Sequence, residues 1–255
     1  MADDVGRVVA LGASNLTRGF QTVVATARNA WGPQVEVLAA LGHGRSYGAE
    51  SRFAFCRRLP GILESGLWSE VESRPPLATR ALVTDVGNDI LYGFSAEQTL
   101  AWVEEAIRRL NRMTRDIVLT ELPLASIRRL SNLKFLALRS ALVPSCRLSL
   151  VEVLDAAERV NLGLARLSAA SGARLSPPDP AWYGFDPIHV RPSLWRHAWQ
   201  QILGAQPVDT SDGIAGFESL RLYLLRPERR WLFGVEQFTP QSGVVLPSGG
   251  RVWLF

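Results

Sequence analysis

Three short segments, far apart in the chain, hold the residue types that acyl transfer requires. One apolar run, Val8-Val9-Ala10-Leu11, ends in Gly12-Ala13-Ser14-Asn15. A second, Ala81-Leu82-Val83, leads into Asp85-Val86-Gly87-Asn88-Asp89, and a third segment reads Asp186-Pro187-Ile188-His189. A serine hydroxyl is a weak nucleophile; it needs a base within hydrogen-bond reach and a third group to orient that base. Ser14 falls on a strand-to-helix turn, where its own N–H, near a helix N-terminus, can also stabilise an oxyanion. The same position suits a serine that only caps the following helix. Asp186 precedes His189 on what reads as a single turn. That spacing sets a carboxylate beside Nδ1 and leaves Nε2 free to face a serine. An exposed Asp-His pair in a loop is the plain alternative. His43, between two glycines, is a competing base or a pocket residue, and His197 falls inside a helix where packing explains it. Asn88 can donate an amide N–H to a developing alkoxide, a donor worth about 3–4 kcal/mol of transition-state stabilisation. Gly44 can add a backbone N–H from a tight turn, since it has no Cβ to keep a substrate away. Gly87-Asn88-Asp89 also reads simply as a turn, with Asp89 stabilising it or capping a helix.

These groups need elements that bring them to one place. Strand and helix signals alternate from the start. Residues 7–11 read as a buried strand, and 16–31 carry Phe20, Val23, Val24 and Ala27 at helical spacing. Residues 35–41 read as a second strand closed by Gly42-His43-Gly44. Residues 47–67 read as mostly helical, broken near Pro60-Gly61. Strands follow at 81–85 and 116–121, a helix from a Ser95 cap to about Met113, and helices at 126–142 and 149–170, the second stopped by Gly172. A short strand at 173–175 and a helix at 192–203 with proline in its first turn complete the pattern. Alternation of this kind predicts a parallel sheet covered on both faces, with ligands bound beyond the C-terminal strand ends. Ser14, residues 42–44 and Asn88 each lie just after such an end. Past Gly204 the character changes: 220–225, 230–235 and 252–255 read as strands broken by proline and glycine, with no helical period. The domain reading is therefore a catalytic α/β unit over 1–205 and a small antiparallel β extension over 206–255. That extension is suited to a cap, a ligand-binding flap or an oligomer contact.

Bulk properties narrow the class. The chain has 255 residues, 47% hydrophobic and 20% charged, which describes a globular protein with a sizeable core. Its net charge of +4 is spread along the chain in pairs such as Arg57-Arg58 and Arg128-Arg129. No run of five or more cations marks a nucleic-acid tail. Lys134 is the sole lysine, which excludes mechanisms that need several. Cys56 and Cys146 lack metal-ligand spacing and read as reduced, buried thiols. The acidic start Met1-Ala2-Asp3-Asp4 is unlike a signal peptide, and no apolar run is long enough to span a bilayer. The expectation is a cytoplasmic protein with no membrane span, no nucleic-acid partner, no metal and no cofactor.

The motifs together resemble those of the SGNH hydrolases, the family of GDSL esterases and lipases. The Gly-Asp-Ser-Leu block is matched by Gly12-Ala13-Ser14-Asn15. The oxyanion glycine block is matched within Gly42-His43-Gly44-Arg45-Ser46, by Gly44 or by Gly42. The Gly-Asn-Asp block is matched by Gly87-Asn88-Asp89, and the Asp-x-x-His block by Asp186 and His189. The resemblance covers about residues 7–203. It implies a flavodoxin-like three-layer α/β/α sandwich with a central parallel sheet, no metal, and hydrolysis of an ester, thioester or acetyl ester through an acyl-enzyme. The roles implied are Ser14 as nucleophile, His189 as base, Asp186 as its orienter, and Ser14, Gly44 and Asn88 as the oxyanion hole. Ala13 and Asn15 depart from the family pattern without removing a catalytic group. Small-molecule, carbohydrate or lipid acyl esters are the expected substrates, with Trp182 and Tyr183 as pocket residues or core.

Three other readings compete. An acyltransferase would use the same triad with an acceptor alcohol in place of water. A non-catalytic binding module would keep the fold without turnover. A nucleotide-binding dehydrogenase would need further glycines where Leu16 and Arg18 stand, and a Tyr-x-x-x-Lys pair where Leu130 precedes Lys134.

Overall fold

The apolar run at the start of the chain forms β1 (Gly6–Leu11), every residue of it buried. Continuous burial marks a strand covered on both faces. A computed structural model describes residues 6–53, 56–205, 216–247 and 249–255; the acidic start and most of the junction after 205 lie outside them. From β1 the chain enters α1 (Ser14–Trp31), which buries Phe20, Val23, Val24 and Ala27 as their spacing predicts. Next come β2 (Glu36–Ala40), the short strands β3 (Ser51–Phe53) and β4 (Arg57–Leu59), and α2 (Leu67–Ser73). The chain continues through β5 (Ala78–Val83), α3 (Asn88–Leu91), α4 (Ala96–Leu110) and β6 (Ile117–Thr120). Then follow α5 (Leu124–Ile127), α6 (Asn132–Leu142), α7 (Leu150–Ser171), β7 (Arg174–Ser176) and α8 (Trp195–Leu203). The last elements are α9 (Gly216–Tyr223), β8 (Arg229–Leu232), β9 (Val235–Phe238), β10 (Val244–Val245) and β11 (Arg251–Leu254).

The main sheet has the order β10-β11-β2-β1-β5-β6-β7. Its strands are parallel except for β10, which is antiparallel to β11. Alternate residues of β1 feed two cores. Val8 and Ala10 face Phe20, Val23 and Trp199 on the side of α1 and α8; Val9 and Leu11 face Val103, Ala106 and Val160 on the side of α4 and α7. The result is three layers, helix on sheet on helix, as the alternation of elements predicts. The long helix α7 ends where its sequence says: Ser149 and Glu152 form a reciprocal capping box, and Gly172 closes it at φ 76°.

Three expectations are corrected. Residues 47–67 are not mostly helical; they hold β3 and β4, which pair with β8 and β9 in a second, four-stranded antiparallel sheet. Residues 220–225 are not a strand; α9 occupies most of them, with Leu222 buried and Glu218 3.6 Å from Arg28 of α1. Nor is the extension wholly antiparallel. β11 lies beside β2 in parallel register, Val252 opposite Val37 and Trp253 opposite Leu38. Val252, Trp253, Leu254 and Phe255 are all buried there, as a strand inside a parallel sheet requires.

Candidate active site

Ser14 opens α1 at the C-terminal end of β1, and the segment that follows β7 brings His189 to it. His189 Nε2 lies 2.8 Å from Ser14 Oγ, across 175 positions of sequence, and His189 Nδ1 lies 2.6 Å from Asp186 Oδ2. The imidazole is buried while Asp186 is partly exposed. The second carboxylate oxygen of Asp186 accepts the backbone N–H of Ile188 at 3.2 Å and of His189 at 3.3 Å, an Asx-type turn that fixes carboxylate and ring together. Burial raises the Asp186 carboxyl. The His189 hydrogen bond and charge, the Ile188 N–H and Arg18 outweigh that and hold it below the ordinary carboxylate value. Arg18, one turn along α1 from Ser14, stands 3.7 Å from Asp186.

Ser14 is not the helix cap. The cap position is Ala13, which has no side chain to spend on it. The duty falls to Asp85, beyond the end of β5: its Oδ2 accepts from the Ala13 N–H at 2.9 Å and the Leu16 N–H at 3.0 Å. A carboxylate at a helix N-terminus also complements the macrodipole, and the serine hydroxyl is left for the histidine. Asp85 takes this post at φ 60°, a left-handed conformation that Asp tolerates better than most residues. Asn15 completes the clamp. Its Nδ2 donates to Asp85 Oδ1 at 2.8 Å and to the Ile188 carbonyl at 2.9 Å, while its Oδ1 accepts the Val190 N–H at 2.9 Å. The backbone on both sides of His189 is thereby tied to the start of α1. Nothing in the local sequence around Asp85 or Asn15 signals these roles, because each depends on a partner about 70 positions or more away.

The turn after β2 forms a second wall. Gly44 has φ 67°, and a Cβ there would fall 2.7 Å from the Tyr92 hydroxyl, so the position demands glycine on two counts. The Tyr92 hydroxyl donates to the Gly44 carbonyl. Gly42 does not have that backbone; a Cβ there would instead strike Leu59 at 2.2 Å. Asn88 begins α3, and its Nδ2 has only a long 3.5 Å contact to the Arg45 carbonyl, leaving its amide hydrogens free for a ligand. Asp89 is fully buried and accepts the Tyr47 N–H at 3.1 Å, the turn-stabilising part that its position suggests. Burial pushes its carboxyl up to about 6, against hydrogen bonds from Ser46 and Tyr47. Arg45 is wholly buried: its guanidinium donates to the carbonyls of Pro60, Leu41 and Phe255, which joins this turn to β11. Burial, with Arg57 nearby, lowers it to about 9.

A cavity of about 140 Å³ adjoins Ser14, with Asn88 and Asp186 in its wall. Trp182 and Tyr183 also line it, although Trp182 is 1% exposed and packs mainly into the core beside Leu16 and Trp199. Gly42, His43 and Gly44 lie outside its lining. His43 makes no hydrogen bond to Ser14; its ring stacks on Phe53 with centroids 5.2 Å apart. Burial, then the charges of Arg57, Arg18 and His189, lower it to about 4, so it is neutral at ordinary pH. His197 is exposed on α8. Among the described residues no group of three or more His, Cys, Asp or Glu is arranged to hold a metal ion, and no helix is long and apolar enough to cross a membrane. Cys56 and Cys146 are free thiols.

No protein-family model matches the sequence, and no curated protein does. Among solved structures the chain is similar to the psychrotrophic esterase EstA from Pseudoalteromonas sp., in a form inhibited by monoethylphosphonate. The identity is 11%, over 78% of this chain and 95% of that one, with a TM-score of 0.48. It is also similar to a member of the lipolytic protein G-D-S-L family from Veillonella parvula DSM 2008, at 12% identity over 78% and 97% of the two chains, TM-score 0.48. A third is TesA, at 13% identity over 78% and 96%, TM-score 0.46.

Proposed function

We propose that the chain is a serine hydrolase that cleaves an ester, thioester or acetyl ester through an acyl-enzyme. The reading rests on one observation: the unbroken hydrogen-bond line from Ser14 Oγ through the His189 ring to Asp186, at 2.8 and 2.6 Å. Ser14 Oγ attacks the substrate carbonyl while His189 Nε2 takes its proton. Asp186, held ionised, keeps the proton of Nδ1 and stabilises the imidazolium that forms. The negative charge on the carbonyl oxygen is met by Asn88 Nδ2, the Gly44 N–H and the Ser14 N–H, each such donor worth about 3–4 kcal/mol in a dry site. The imidazolium then protonates the departing alcohol or thiol, the C–O or C–S bond breaks, and the acyl group remains on Ser14. Water, deprotonated by His189, releases the acid by the reverse sequence.

A fluorophosphonate probe tests the assignment. It is expected to label the wild type and not Ser14→Ala, a change that removes only one oxygen from a half-buried position. Equal labelling of the two proteins overturns it. Turnover of p-nitrophenyl acetate is expected to fade in acid, since only a neutral imidazole accepts the proton.

A further inference from the structure

One stripe of α6 faces the cavity beside Ser14 without enough protein to bury it. Phe135, Leu138 and Leu142 stand at the i, i+3, i+7 spacing of a single helix face, and all three line that cavity. An apolar face of this kind is normally buried along its length. Here Phe135 is the only residue of the helix that is buried; Leu138 is partly exposed and Leu142 is 40% exposed. Phe135 joins a small core with Ile127, Leu150 and Val153. Leu138 and Leu142 belong to none of the hydrophobic clusters formed by the described residues. What they meet instead is the cavity, whose wall Ile127, Leu130 and Val153 share.

The same cavity reaches the proposed nucleophile. Its wall includes Ser14 and Asn88 but not His189. A leaving group takes its proton from His189 Nε2, so it lies against the histidine and outside the cavity. The part of an ester that enters is then the acyl chain. Four charged residues also touch the wall. Asp85 and Asp186 already hold α1 and His189. Arg139, at the edge of the α6 stripe, donates to the Leu148 carbonyl at 2.8 Å. Glu121 is partly exposed beyond the end of β6, and burial raises its carboxyl. Leucine, isoleucine and phenylalanine offer a hydrated group no partner, whereas methylenes gain by leaving water for them. Size sets the length of chain. A cavity of about 150 Å³ lined by such residues holds a six-carbon ring. At about 140 Å³ this one suits a chain of about the same number of carbons.

We infer that the cavity-facing stripe of α6 seats the acyl chain of the substrate, and that the substrate is an ester or thioester of a medium-chain fatty acid, about six to eight carbons long, rather than an acetate. The bound chain completes the packing that Leu138 and Leu142 lack. Assigning the chain to the acyl side rests on the proposed catalytic roles; the affinity of the cavity for a hydrocarbon does not.

The test compares the p-nitrophenyl esters of acetic, hexanoic and dodecanoic acids on the full chain. From acetate to hexanoate kcat/KM is expected to rise at least about thirtyfold, each added methylene being worth up to about fourfold, and it should gain nothing more at dodecanoate. Leu138→Trp, which fills the cavity, should cut the hexanoate-to-acetate ratio about tenfold or more. Leu142→Trp, at a more exposed position, should cut the same ratio and serves where Leu138→Trp does not fold. Ser14→Ala keeps the cavity and removes turnover. By calorimetry it should bind p-nitrophenyl hexanoate about tenfold or more tighter than the acetate, and Leu138→Trp in that background should erase the difference. A protein without esterase activity whose Ser14→Ala form still prefers hexanoate keeps the chain site and loses the catalytic reading. An active enzyme with equal kcat/KM on acetate and hexanoate overturns the inference. So does an unchanged ratio in both tryptophan variants. So does a rate that climbs with alcohol length across alkyl acetates while the acyl series stays flat, since the leaving group would then occupy the cavity.

Discussion

Asn15→Ala tests whether the histidine loop is held in place from the start of α1. The side chain makes three hydrogen bonds, at 2.8 Å to Asp85, 2.9 Å to the Ile188 carbonyl and 2.9 Å from the Val190 N–H. Asp85 keeps two backbone donors when Asn15 is gone, Ala13 and Leu16. The backbone groups flanking His189 do not, and Val190 is only 6% exposed. A buried N–H left without a partner costs about 1–3 kcal/mol, so the loop is expected to move toward water rather than stay. A shift of roughly 1 Å between Nε2 and Oγ is worth about a hundredfold in rate. The expected result is a loss of about 2 kcal/mol in urea unfolding and a fall of about a hundredfold in kcat on p-nitrophenyl acetate. Fluorophosphonate labelling should slow in parallel, because it reads the reactivity of Ser14 without a leaving alcohol. Asn15→Asp sharpens the test. It keeps the shape and the acceptor for Val190 but loses both donations, and it sets a carboxylate where 2.8 Å now separates an amide from Asp85. It should be less active than Asn15→Ala at neutral pH. An Asn15→Ala protein that is destabilised yet labels within about twofold of wild type would refute a positioning role.

Asp89, fully buried, has its carboxyl pushed up to about 6 from an ordinary 3.8. The folded protein therefore holds this proton where the unfolded chain has lost it, and stability falls as pH rises from about 4 to about 6, by up to about 3 kcal/mol. Asp89→Asn should remove that slope: the stability difference between variant and wild type, by urea unfolding, should change by about 2–3 kcal/mol between pH 4.5 and 7.5, and a constant difference refutes the account. His43, lowered to about 4, acts with the opposite sign: the unfolded chain binds its proton first, and stability rises from about 4 to about 6.5. The ring is partly exposed, so His43→Gln should flatten only about 1–2 kcal/mol of that rise; an unchanged profile counts against it. Gly44→Ala forces a Cβ onto a backbone at φ 67° and against the Tyr92 hydroxyl at 2.7 Å. It should lower kcat about tenfold or more with KM little changed, and wild-type kcat would overturn the proposal that the Gly44 N–H is an oxyanion donor.

Much of the fold is legible because parallel strands announce themselves as unbroken apolar runs and helices announce their ends. β1 and the Ser149 to Gly172 bounds of α7 need nothing beyond local chemistry. The elements whose local pattern misleads depend on distant partners. β3 and β4 are three residues each, and the pairing that makes them strands sets Arg57 opposite Leu232 and Arg58 opposite Trp231. No window around residue 57 contains that information. Leu220-Arg221-Leu222-Tyr223 alternates like a strand, yet α9 is settled by its seat on α1, with Leu222 in the core and Glu218 beside Arg28. Context overrides local pattern most easily where the pattern is short.

The same division runs through the site. Ser14, Asp186 and His189 stand out because each lies at a strand end or within one turn of its neighbour. The groups that hold them do not, because Asp, Asn and Arg occur so often as caps, turns and surface charge that their type alone says little. Arg45 shows how far this goes. In Gly42-His43-Gly44-Arg45-Ser46 it reads as one more surface cation, yet it is wholly buried and its guanidinium is met by three carbonyls, from β2's end, from Pro60 and from Phe255. A buried guanidinium is tolerable only where such acceptors are already in place. The turn that carries Gly44 is therefore shaped in part by β11, so the strand that sequence alone assigns to an extension is part of the frame around Ser14.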